Sequence, residues 1–147
     1  MFNGLSRTYS LVNVVAEHLK MLLDAGIETK VLVSQDCPDD DREGIFADER
    51  LDWVKITNRL GDEQIHWYDY SKPDGEIHES FMEEADVIAQ DLYRHLQDVN
   101  VCIMHDIHYQ GWHLVHNAAL RKAQKRLTQL KFVAITHSAP VNRPPLL

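Results

Sequence analysis

The sequence predicts an α/β fold: a Rossmann-like, doubly wound and mostly parallel sheet. Three observations carry this. Helix-period segments alternate with short β-branched runs, two of the later runs are continuously apolar as buried parallel strands are, and the runs end in clusters of polar residues. A chain of 147 residues with 44% hydrophobic and 26% charged residues can bury a core, which excludes a disordered or repetitive chain. It reads as a single α/β domain over residues 1–147.

The apolar positions Leu11, Val14, Val15, Leu19, Leu22 and Leu23 have helical spacing, and Gly26 stands where a left-handed cap would end that helix. ETKVLVS (28–34) is then a strand. Residues 36–50, with seven carboxylates, two arginines, Pro38 and Gly44, show no period and predict a solvated acidic loop. LDWVKIT (51–57) alternates as a second strand. EQIHWYDYS (63–71) reads as a third, with KPDGE as a turn that brings the chain back.

Ser80 and Glu83 form a capping-box pattern ahead of a helix of roughly 18 residues, with Phe81, Ala85, Ile88, Leu92 and Leu96 inward. VNVCIMHD (99–106) predicts a strand buried on both faces. A helix follows over about 111–130, with Trp112, Val115, Ala119, Ala123 and Leu127 on its inner side. Arg121, Lys122, Lys125 and Arg126 form a solvated basic face near its C-terminus. KFVAITHSAP holds another buried strand (131–136), and prolines end regular structure in the tail, 141–147. A doubly wound sheet ordinarily opens with a buried strand ahead of its glycine turn, yet only Met1 and Phe2 precede NGLSRTYS. The expectation is that the chain is an excerpt of a larger protein, and that the unpaired edge left by a missing strand invites self-association.

The formal charge of −8 disfavours nucleic acid and an anionic membrane as partners. No run approaches the roughly 20 apolar residues of a membrane span, and Cys37 and Cys102 support neither a disulfide framework nor a thiolate zinc site. A cytoplasmic protein is the expectation. Functional residues in open α/β sheets collect past the carboxyl ends of strands. Three such places stand out: the turn Asn3, Gly4, Ser6, Arg7 and Thr8 before the first helix; His105, Asp106, His108, Tyr109, Trp112 and His113; and Thr136, His137 and Ser138. A free helix N-terminus attracts anions, and strand-tip histidines can donate to a sugar hydroxyl or carry a proton. His18 and His95 lie on helices and read as structural. The i, i+3 histidine pairs lack a carboxylate or thiol to complete a metal set, and no GxGxxG or GxxxxGK[ST] occurs.

The glycine turn with its long helix (NGLSRTYSLVNVVAEHLKMLLDAG), the strand IETKVLVS, the histidine tip VNVCIMHDIHYQGW and the strand FVAITHSAP together resemble the N-terminal, acceptor-side domain of GT-B retaining glycosyltransferases of family 4. The resemblance implies sugar transfer from a nucleotide-sugar to an acceptor hydroxyl, with no obligatory metal and no other cofactor. It also implies a C-terminal domain that grips the donor, so the isolated chain should be inactive. Carried onto this sequence, it gives His105 the catalytic place beside the reacting sugar. It brings Gly4 toward the donor diphosphate and the acceptor, and sets His137 in the lining of the acceptor cleft; Arg7, if it points inward, would help to stabilise the departing diphosphate, and Asp106, His108 and Ser138 are read as substrate-binding from their places at the same strand tips. The family ordinarily has two glycines where this chain has Asn3 and Gly4. Two rival readings come from other classes: a non-catalytic protein-interaction module using the basic helix face and acidic loop, and a metal-dependent hydrolase built on the histidines.

Overall fold

In the computed structural model, the residues described are 4–6, 8–65, 76–108 and 113–137. Helix α1, Ser10–Asp24, ends in the predicted glycine cap. Gly26 has φ +72°, its N–H bonds the Leu23 carbonyl, and Ile27 N–H reaches back to Leu22, so the two bonds satisfy carbonyls that the helix leaves free. Strand β1 (Thr29–Ser34) follows and pairs in parallel with β2 (Leu51–Ile56), Val31 opposite Trp53.

Between them, the acidic segment is more than a solvated loop. It contains two short 3₁₀ turns, Asp39–Asp41 and Gly44–Ala47, and it buries Cys37 and Phe46. Its two apolar side chains give it a place in the core that its charges conceal in the sequence. The third strand is also revised. Strands β3 (Arg59–Leu60) and β4 (Glu63–Gln64) make a two-residue antiparallel hairpin around Gly61, whose φ of +60° suits the first of two turn positions. Residues 66–75, including most of EQIHWYDYS and the KPDG turn, lie outside the described residues.

Helix α2, Phe81–Leu96, buries Phe81, Ala85, Ile88, Ala89, Leu92 and Leu96. Its predicted capping box does not form: Ser80 has helical backbone angles, and its hydroxyl donates to Glu84 Oε1 at 2.9 Å. Strand β5 (Val101–His105) then leads through α3 (Leu114–Arg126) to β6 (Lys131–Ile135), which pairs with β5 in parallel. The basic face of α3 is tied to its neighbour α2. Lys122 pairs with Asp86, and Arg126 donates to Gln90 and lies 3.6 Å over the Tyr93 ring. Trp112, expected on the inner side of this helix, is outside the described residues.

Two apolar clusters hold these pieces. One joins α1 to the β1–β2 pair and the acidic segment through Val12, Leu19, Leu23, Val31, Val33 and Leu51. The other joins α2 and α3 to the opposite face of the strands, with Val54 and Ile56 of β2 buried in it and Cys102 and Phe132 packed partly against it. Strands β5 and β6 are not buried on both faces as their apolar sequences predict. Val101, Ile103 and Val133 are 48%, 38% and 43% exposed, because α2 and α3 cover one face of this pair and leave these side chains outward. Among the described residues the strands form three separate two-stranded sheets, so the architecture is α/β with small parallel sheets. No helix among them is long and apolar enough to cross a membrane.

Candidate functional site

Parallel pairing of β5 with β6 puts His105 opposite Ile135, so the polar residues after both strands emerge at one end. There Nδ1 of His105 and Nε2 of His137 are 2.8 Å apart, with rings stacked at 5.1 Å and 17°. Only one of the facing nitrogens can carry a hydrogen, so the pair shares a proton and exposes its remaining nitrogens as one donor–acceptor set. Asp106 fixes the pair from below. It is buried, and its Oδ1 accepts the His137 backbone N–H at 2.8 Å while its own N–H reaches the Ile135 carbonyl. Its φ of +57° is in the left-handed region, which a short polar side chain tolerates better than an apolar one does.

A third imidazole joins from α1. His18 lies with its ring 5.5 Å from that of His105, and its buried Nδ1 has no hydrogen-bond partner. The sequence reads His18 as a structural helix residue, and the fold sets that residue beside the strand-exit histidines. Burial, followed by the neighbouring His137 and His18, pulls the His105 pKa down to about 4 against the opposing pull of Asp106. His105 is therefore a neutral imidazole at pH 7, able to accept or donate one hydrogen bond.

The crevice beside this pair is lined by residues that include Tyr9, Leu32, Ile88, Leu92, residues 102–105 of β5, Asp106 and Ile107 beyond it, His113 and His116, and encloses about 150 Å³. Gly4 is not among its lining residues. It stands against the acidic segment, where a Cβ would come within 3.2 Å of Asp41 Oδ2, and the Leu5 N–H donates to that same oxygen at 2.7 Å. His108 is held through its carbonyl, which accepts from the Asn117 amide, and does not line the crevice. Arg7, Tyr109 and Ser138 lie outside the described residues.

A buried polar chain behind the crevice also escaped the sequence. His116 Nε2 donates to Asn58 Oδ1 at 3.2 Å, Asn58 Nδ2 donates to Asp36 Oδ2, and the Asn58 N–H donates to Gln35 Oε1. It ties the exits of β1 and β2 to the start of α3. Burial drives the His116 pKa down to about 2, with smaller pushes from nearby positive groups including His113. For Asp36 burial pushes upward, yet hydrogen bonds from Asn58, Arg59 and Gln64 outweigh it and leave the carboxyl below its usual value. Applying the strand-exit rule to Gln35, Asp36, Thr57 and Asn58 as well as to the histidine tips would have found them.

Among the described residues, no group of three or more His, Cys, Asp or Glu side chains is arranged to hold a metal ion. No known protein family, curated protein or solved structure matches this chain.

Proposed function

We propose that this chain is the acceptor-side half of a retaining GT-B glycosyltransferase, and that its two parallel strand pairs belong to one doubly wound sheet. The observation that carries the reading is the His105–His137 contact at neighbouring parallel strand exits, over a buried Asp106. Sugar transfer needs a hydroxyl held and oriented more than it needs a strong base near neutrality. A neutral imidazole with one nitrogen engaged by a second imidazole leaves its other nitrogen for an acceptor hydroxyl. The crevice of about 150 Å³ is smaller than the ~300–1,000 Å³ of ordinary ligand pockets, which suits a cleft completed by a facing donor-binding domain.

One contact stands against part of the resemblance. Asp41 already occupies the Leu5 N–H, and its carboxylate would repel a diphosphate at the turn that follows Gly4. In this proposal the donor phosphates are therefore held chiefly by the second domain and the start of α1, with Gly4 and Arg7 in minor roles.

The test is a panel of nucleotide-sugars assayed with the complete gene product. His105→Ala should lower kcat/KM at least about tenfold with an unchanged circular dichroism spectrum. Unchanged kinetics in that variant would remove His105 from the chemistry, and no turnover of any nucleotide-sugar by the unaltered protein would remove the reading. The interaction-module alternative draws on the exposed Val101, Ile103 and Val133 row rather than on the α3 cations, of which Lys122 and Arg126 are engaged by α2. Elemental analysis tests the hydrolase alternative, since one equivalent of zinc would favour it over transfer.

A further inference from the structure

Helix α1 touches both strand pairs. Leu19 and Leu23 pack with Val31 and Val33 of β1, while His18 of the same helix meets His105 at the end of β5. Three imidazoles from separate elements are thereby gathered: the His105 ring has that of His137 at 5.1 Å and that of His18 at 5.5 Å. Among the described residues, the titratable groups acting on His105 are His137, His18 and Asp106, and Asp106 alone of these is a carboxylate. Glu17 and Lys20, near His18 on α1, are exposed. His113 and His116, at the start of α3, line the neighbouring crevice, and carboxylates of the acidic segment are engaged elsewhere: Asp36 by Arg59, Asp39 by Lys55 and Asp41 by the Leu5 N–H. That crevice takes Tyr9 from the N-cap of α1, Leu32 from β1 and residues 102–105 from β5, so it widens when α1 and β5 part.

We propose that this three-imidazole contact is an acid-operated latch: while its rings are neutral it fastens α1, and with it β1, to the end of β5, and when they take up protons it parts and opens the crevice. The His105–His137 pair needs one hydrogen between its facing nitrogens. It can accept one proton on an outer nitrogen and keep that bond, but a second proton puts hydrogen on both facing nitrogens and breaks it. An imidazolium carries hydrogen on both ring nitrogens, and His18 Nδ1 is buried with no acceptor, so a charged His18 is better solvated once the contact has opened. Positive rings at these separations repel, and the one buried carboxylate, which already accepts the His137 backbone N–H, does not offset them all. Protons therefore bind the parted state better than the closed one, and acid shifts the balance toward it. The depressed His105 pKa of about 4 has the same sign: the closed contact is fully favoured above about pH 6.5 and loses ground as pH falls toward 4. His116, held lower still, stays neutral over that range, so its bond to Asn58 and the shared packing on α2 remain as the hinge. The latch concerns this contact and holds whether or not the histidine pair transfers a sugar.

Two native thiols serve the test. Cys102 lines the crevice, whereas Cys37 is buried in the apolar cluster of α1 and the acidic segment, so the first reports opening and the second general loosening. The full chain is treated with dithiodipyridine, which modifies thiols in acid, and each rate is divided by that of the same chain unfolded in urea at the same pH. Between pH 7 and pH 4.5 the corrected rate at Cys102 should rise at least about tenfold, while that at Cys37 changes by less than about threefold. His18→Gln, which keeps a polar side chain but cannot take up a proton, should hold the rise at Cys102 below about threefold. His18→Lys, charged throughout, should give fast modification of Cys102 already at pH 7. A flat rate at Cys102, or an equal rise at both thiols, would overturn the latch, the second because it reports unfolding. A full rise in His18→Gln would assign the opening to the histidines of α3 and overturn it also, as would slow modification of a folded His18→Lys chain at pH 7. Should His18→Lys fail to fold by circular dichroism, His137→Gln, at the exposed member of the contact, takes its place and should flatten the acid response as His18→Gln does; an unaltered response there would overturn the latch.

Discussion

The two parallel strand pairs differ in how they are covered. Pair β1–β2 has α1 on one face and α2 on the other, so Val31, Val33 and Leu51 are buried toward α1 while Ile56 is fully buried toward α2. Pair β5–β6 has α2 and α3 on one face, and its other face shows Val101, Ile103 and Val133 to solvent. The apolar run VCIM is as hydrophobic as VLV, yet only the second is enclosed. Sequence hydrophobicity thus marks a segment that is able to be buried, and the neighbours decide whether it is.

The sharpest way to break this comparison is to remove volume from each pair. Ile56→Ala opens a cavity in a site with no solvent exposure and should cost ~2–5 kcal/mol in urea unfolding. A loss below about 1 kcal/mol would mean that β2 is not enclosed as described.

Acidification sharpens the comparison from the other side, because the depressed histidines are His105 of β5, His113 at the N-cap of α3 and His116 within α3. Their folded pKa values lie below the unfolded value near 6.5, so the unfolded chain binds more protons between those limits. Their contribution is complete above about pH 6.5 and is lost as pH falls toward 4. The slope is at most ~1.4 kcal/mol per pH unit for each histidine, and less for the half-exposed His105. Asp36, beyond β1, is depressed in the carboxylate sense and keeps its contribution until pH falls below about 4. Exchange measured from pH 7 to 4.5, corrected for its intrinsic pH dependence, should therefore loosen α3 before β1. Simultaneous loosening of both would show one cooperative unit.

The smallest effect is expected at the uncovered face. Val133→Ser should change stability by no more than about 0.5 kcal/mol, since that side chain is already 43% exposed. A loss of 2 kcal/mol or more in the same unfolding assay would reveal a cover over β6.

Much of the local structure was legible because it depends on near neighbours in the chain. Helical spacing marked α1, α2 and α3, Gly26 marked a left-handed cap, and β-branched runs marked β1, β2 and β6 within a residue or two. The failed capping box shows the limit even there, since Ser80 found Glu84 instead of the helix backbone. For the candidate site, strand-tip position was enough to pick out His105 and His137, which the structure brings to 2.8 Å. The approach of His18 to His105 was hidden because nothing within α1 states which residues of a distant strand its side chains will meet.

The chain's own order of residues determined where backbone can coil or extend, since those preferences act over one or two turns. Which apolar faces are covered, that Phe46 and Cys37 anchor a charged loop, and that Asn58 links two strands to α3 were decided only in three dimensions. Those outcomes depend on contacts between residues tens of positions apart, and local composition holds no record of which partner arrives.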